Sequence, residues 1–350
     1  MSNLYKGKYS IFNTSGAQNY FLKNRTSRVR ICDIIDPQSV IETKQNLKKE
    51  TANVIDIISS EIISARKSSK PVILFTGAHL VKNGLGRLVI DLVLKKMLTL
   101  VAGNAATSIH DFELALFGQT SENTFQALIE HKFGMALEFG YINQAIILGN
   151  EYKLGFGESI GKFICEDNFR KKALANFCKK MGCIDLVKFL YPQFSIAATC
   201  YKNNIPFTIH ASIGTDVIDQ HKNFNGEAKG GCSARDFLIY TNEVSKLGSS
   251  GVVLNIGSAV TGPEVLLKAV SMTANAGSPP DGIVTADFDL RDEGLDKMTD
   301  ESSQFYYFRD QKSIVTRIPK AFNGKGYYIQ GDLKITVPCL YRKIIEKLKK

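Results

Sequence analysis

A doubly wound α/β fold, with a mainly parallel sheet and helices on both faces, is predicted by three features of this 350-residue chain. Short apolar runs rich in β-branched residues alternate with longer segments of helical period, the pattern of βαβ units. Five of those runs are apolar throughout, as strands buried on both faces are, and each ends in small or polar residues. A hydrophobic fraction of 44% supplies one large core, and no repeat or low-complexity linker divides the chain. A single α/β domain over 1–350 is therefore expected.

The elements follow in order. Residues 1–45 are polar and irregular, and a helix over 46–67 carries Val54, Ile55, Ile58, Ile62 and Ile63 on one side. Together, 1–68 forms an N-terminal extension packed on the outside of the core. The five strand candidates start at Pro71, Leu98, Pro206, Gly251 and Gly282, and finish in Thr76-Gly-Ala-His79, Gly103-Asn-Ala-Ala-Thr-Ser108, His210-Ala-Ser-Ile-Gly214, Ile256-Gly-Ser258 and Thr285-Ala-Asp287. In open α/β sheets such carboxyl ends line the ligand crevice. Between the second and third strands, 120–203 reads as a helical insertion or cap, with helices around 124–132, 142–152, 169–180 and 184–189. An acidic, irregular stretch to Ser303 follows Asp287, then a strand after Lys312 and a closing helix from about Val337.

Composition narrows the partners. The net charge of +10 invites a nucleic-acid reading, but the lysines fall in short clusters on amphipathic segments without interleaved aromatics, so nucleic acid is disfavoured. No apolar run reaches eighteen residues and the N-terminus lacks a signal-peptide pattern, so a cytoplasmic protein without membrane contact is expected. Seven scattered cysteines, an odd number, read as reduced thiols, and the spacing of Cys178 and Cys183 does not suit zinc.

Three strand-end segments carry candidate chemistry. The turn Gly257-Ser-Ala-Val-Thr-Gly262 leads into a helix and can aim backbone amides at a phosphate, although a glycine turn without ligand has the same spacing. In Gly103-Asn-Ala-Ala-Thr-Ser-Ile-His-Asp-Phe-Glu113, helix capping explains Ser108 and Asp111 but not Asn104 or His110. The segment His210-Ala-Ser-Ile-Gly-Thr-Asp216 adds another histidine and carboxylate. With His79, three of five histidines sit at strand ends, which points to one shared crevice, although any one alone is more often structural. No metal-ligand spacing and no nucleophile elbow is present, so no metal and no serine hydrolase is expected.

Taken in order, Phe75-Thr-Gly-Ala-His-Leu-Val-Lys-Asn-Gly84, Ala105 to Glu113, Ser212-Ile-Gly-Thr-Asp216, Gly251 to Val260 and Val284-Thr-Ala-Asp-Phe-Asp289 resemble the strand-end motifs of the deoxyhypusine synthase family over about 70–330. That resemblance implies a Rossmann-like sheet, an NAD cofactor, a homotetramer and transfer from a polyamine or other small amine through an imine on Lys312. It places the cofactor at Thr76, Gly77, Asn104, Ala105, Ser212, Gly214, Asp216, Gly257, Ser258, Thr285, Ala286 and Asp287. His110 and His210 are then candidate bases, and His79, Asp111 and Glu264 candidate substrate contacts. The chain departs from the family in reading Thr261-Gly-Pro-Glu264 after the glycine turn and in having no tryptophan. Two alternatives keep part of this picture: an NAD-dependent oxidoreductase, cyclodeaminase or lyase without a covalent lysine, and a non-enzymatic nucleotide- or anion-binding protein.

Overall fold

The computed structural model describes residues 5–42, 47–181, 187–298 and 300–349. Its strands are β1 (Ser27–Arg30), β2 (Val72–Thr76), β3 (Leu100–Gly103), β4 (Gln119–Glu122), β5 (Phe207–Ile209), β6 (Val252–Ile256), β7 (Val284–Asp289) and β8 (Lys325–Gln330). β1 and β4 form a small antiparallel ribbon. The other six make one parallel sheet in the order β5-β3-β2-β6-β7-β8. Renumbered within that sheet the order is 3-2-1-4-5-6, that of dinucleotide-binding doubly wound proteins, and the order reverses between β2 and β6.

Alternation along the strands builds the two layers. Val72, Leu74, Val101, Leu254 and Val284 point into a core shared with helices Lys49–Lys67, Gly86–Leu94 and Leu333–Leu348. Ile73, Phe75, Leu100, Ala102 and Val253 point the other way, against helices Gly226–Val244 and Thr261–Asn275 and the helical segment 311–321. Each fully buried Val, Leu or Ile contributes about 1.5–3 kcal/mol, so register is set by the face that each side chain must reach.

All five predicted strands form, with their carboxyl ends aligned: Thr76 pairs with Gly103 and Ile256, and Gly103 with Ile209. The strand expected after Lys312 does not. Residues Gln311–Arg317 form a wide helical turn, and the sixth strand is β8. The closing helix begins at Leu333 rather than near Val337, and the helix expected from residue 46 begins at Lys49, residue 46 itself being outside the described residues. Within 120–203 the helices are Thr124–Ile129, Phe139–Glu151, Phe156–Cys165, Asp167–Met181 and Ile196–Lys202. Of the expected helix at 184–189, residues 184–186 lie outside the described residues and 187–189 are not helical. Cys183 also lies outside them, and no disulfide joins the described cysteines. No helix among the described residues is long and apolar enough to cross a membrane.

Candidate functional site

The point of strand-order reversal is built from two glycine turns in contact. Gly77 N donates to Ile256 O, and a Cβ on Gly77 would lie 2.0 Å from Gly257 O, so only glycine fits. Gly257 has φ +65°, the left-handed region that glycine enters without strain, and beyond it Ser258 Oγ accepts from Gly262 N at the start of helix Thr261–Asn275. His79 stands beside Gly257: a Cβ there would be 3.7 Å from the Cβ of His79. Burial, with Lys82 and His110 nearby, keeps the His79 imidazole below its ordinary pKa.

On the β3 side, Asn104 caps helix Ala105–Phe117 by accepting from Thr107 N through Oδ1, and Thr107 Oγ1 donates to Thr76 O. Two turns along, His110 reaches a cavity of about 220 Å³. Its lining includes Arg25, Lys82, His110, Glu113, Glu122 and Asp216. The β3 helix, the β5 loop and the β1/β4 ribbon converge there, so the N-terminal extension supplies a wall of the site.

Hydrogen bonding orients His110. Thr120 Oγ1 donates to Glu113 Oε2, so its lone pair accepts the proton on His110 Nδ1, 2.7 Å away. Glu113 Oε2 is itself 3.3 Å from Nδ1, and Glu113 Oε1 pairs with Arg25 at 2.6 Å. Burial alone would raise the Glu113 carboxyl, but the bond to His110 and the charge of Arg25 hold it below the usual range. An ionised Glu113 and a protonated Nδ1 leave the lone pair on Nε2. Glu122 accepts from Gly134 N at 3.0 Å, and burial pushes its carboxyl up.

Other expected site residues have different duties. His210 is buried, with its ring against Phe75 and Tyr240, and burial takes its pKa down to about 3. Asp111 accepts from Ser195 Oγ, Ile196 N and Ala197 N, capping helix Ile196–Lys202 from a distance in sequence. Asp216 is tied with Asp219 to the buried Lys229, at 2.8 and 2.6 Å, which fixes the loop carrying Ser212 and Gly214. Glu264 makes a surface ion pair with Lys268. Thr285, Ala286 and Asp287 all lie inside β7, where the Thr285 hydroxyl donates to Ile314 O and the buried Asp287 accepts from Asn255 Nδ2 at 2.7 Å. Ala105 is buried in the first turn of its helix. Sequence reasoning missed Arg25, Lys82, Glu113 and Glu122; the glutamate three residues after His110 was the available signal, since positions i and i+3 share a helix face.

Sheet order and paired glycine turns define a Rossmann-like α/β protein with a charged cavity beside the reversal point. No protein-family model and no curated protein sequence matches the chain. Among solved structures it is similar to ArgZ, an arginine dihydrolase from the ornithine-ammonia cycle in cyanobacteria (15% identity, 87% of this chain and 33% of that one, TM-score 0.45). It is similar to AgrE, solved in a ternary complex with ornithine and NAD+ (12% identity, 88% and 35%, TM-score 0.47). A conserved LOR/SDH protein from Methanococcus maripaludis S2 is a third (15% identity, 88% and 74%, TM-score 0.45). The chain spans about a third of the length of ArgZ and AgrE. At these scores the fold rests on the sheet order itself.

These findings overturn the deoxyhypusine synthase resemblance, since the similar structures are of other kinds. Strand-end polarity and glycine turns accompany any sheet of this order, so the matched motifs were not specific to one family. The transferase reaction rested on that resemblance and has no support without it, and the expected tetramer is left without an observation for or against it. Lys312 is not at the glycine turns: it lies on the helical segment 311–321, with Nζ over the Tyr306 ring.

Proposed function

We propose that the chain is an NAD-dependent enzyme acting on a small amino compound, moving a hydride without a covalent lysine, with His110 handling the proton. One observation carries this reading: a carboxylate-held histidine with a free Nε2 lines a mixed-charge cavity next to the sheet's reversal point.

The residues present fit a dinucleotide. Gly77 and Gly257 let backbone approach a pyrophosphate, Ser258 and the first turn of helix Thr261–Asn275 add donors, and Asn104 keeps its Nδ2 for a ribose hydroxyl. When bound, NAD supplies the hydride acceptor. The protein's part is to hold and orient. Lys82 faces a substrate carboxylate, Glu122 faces an ammonium, and the 220 Å³ cavity limits the substrate to a small molecule. Nε2 of His110 takes the proton released on oxidation, and Glu113 stabilises the imidazolium that results.

The test is NAD+ titration by calorimetry, followed by reduced-nicotinamide absorbance with a panel of amino acids and amines. His110→Gln is expected to lower kcat by about a hundredfold or more while leaving NAD+ affinity unchanged. Absence of NAD+ binding, or wild-type turnover in His110→Gln, would defeat the reading.

A further inference from the structure

A second cavity, of about 550 Å³, opens between helical segment 311–321 and the irregular chain that follows β7. Its lining comprises Leu295, Met298, Tyr306, Lys312, Thr316, Arg317 and Lys320. None of these residues belongs to the crevice or the His110 cavity.

Lys312 is the anomaly. The residue is only 4% exposed, yet its Nζ makes one hydrogen bond, to Tyr306 O at 3.2 Å, and otherwise sits 3.3 Å from the centroid of the Tyr306 ring. A buried ammonium is normally matched by a carboxylate. Among the described residues neither Lys312 nor Arg317 nor Lys320 has an ion-pair partner, and the acid acting on Lys312 is Glu301, through space. Burial first, then the charges of Arg317 and Arg309, lower the Lys312 pKa, so the cluster repels itself as it stands. An anion lodged among the cations removes that repulsion.

The cavity is also held in shape. Gln311 accepts from Gly294 N and donates to Asp292 O, and Arg291 pairs with Asp310, so both walls are pinned to the strand end. Leu295, Met298 and Tyr306 add apolar surface to the lining, with the Tyr306 ring directly against Lys312 Nζ. Three cations suit a dianionic head better than a monocarboxylate, and a phosphate carries about −1.5 to −2 charges at neutral pH and matches a guanidinium fork. The volume lies in the range of small-ligand sites.

We propose that this cavity binds a small organic phosphate, with its head on Lys312, Arg317 and Lys320 and its apolar or ring body against Leu295, Met298 and Tyr306. The site is separate from the dinucleotide crevice, and occupying it gives a counter-ion to three cations that make no ion pair among the described residues.

The experiment is calorimetric titration of the whole chain with phenyl phosphate, inorganic phosphate and succinate, each with and without saturating NAD+. Phenyl phosphate is expected to bind saturably, more tightly than either other anion, and unaffected by NAD+. Lys312→Met and Arg317→Gln should each weaken it about tenfold or more, as loss of a charged hydrogen bond does. Arg317 is exposed, so its variant reports on the site even if removing Lys312 disturbs folding. No saturable binding, undiminished binding in Arg317→Gln, equal affinity for succinate, or displacement by NAD+ would each overturn the proposal.

Discussion

His110 and His210 each follow a buried strand closely and end in opposite surroundings. Glu113 and Thr120 hold one at a cavity wall, whereas Phe75, Tyr240 and Phe237 enclose the other. His210 has its pKa lowered from the ordinary 6.5 to about 3, so its neutral burial adds stability that is whole above the unfolded value and lost as pH falls toward the folded one. His210→Phe should therefore lose less Tm than the wild type between neutral and mildly acidic buffer; an unchanged slope would mean that His210 titrates freely in the fold. Asp287 has the reverse sign. Burial and the neighbouring Asp310 raise its carboxyl well above the usual range, so its contribution is whole at low pH and lost as pH rises through the folded value. In its protonated form it brings a donor to a place where Asp287 Oδ2 and Asn255 Oδ1 are both buried acceptors without one. Asp287→Asn should flatten the decline of the denaturation midpoint toward alkaline pH.

Helix Ile196–Lys202 shows how one distant residue supports an element. Only seven residues long, it is marginal alone and starts on the carboxylate of Asp111 as well as on the Ser195 cap. Asp111→Ala leaves Ile196 N and Ala197 N without that acceptor and is expected to cost about 2–3 kcal/mol in urea unfolding. Local pattern predicted the long helices and the five buried strands because each repeats one period over enough residues. It failed at Ser313-Ile-Val-Thr316, whose β-branched run imitates a strand while Ile314 and Ile318, four apart, bury one helical face on the sheet. It also missed β8, an edge strand with only Ile329 fully buried, where the continuous apolar signal of a central strand is absent.

Across the molecule, the same turns that close the sheet at its reversal point are those proposed to meet the cofactor. Binding there selects the folded state, so NAD+ at a hundred times its Kd should stabilise the protein by about 2.7 kcal/mol and raise Tm accordingly; an unchanged Tm under that excess would rule out folded-state-specific binding. Layer architecture, the parallel strands and the concentration of polar residues at their carboxyl ends were legible in the chain, because periodicity and burial are local consequences of residue order. The order 3-2-1-4-5-6, the pairing of Glu113 with Arg25 across nearly ninety positions and the dismissal of His210 and Asp111 to structural duties were not. Those outcomes depend on which surfaces pack together, and contacts between segments remote in sequence, each too weak to declare itself locally, are chosen only when the whole core closes.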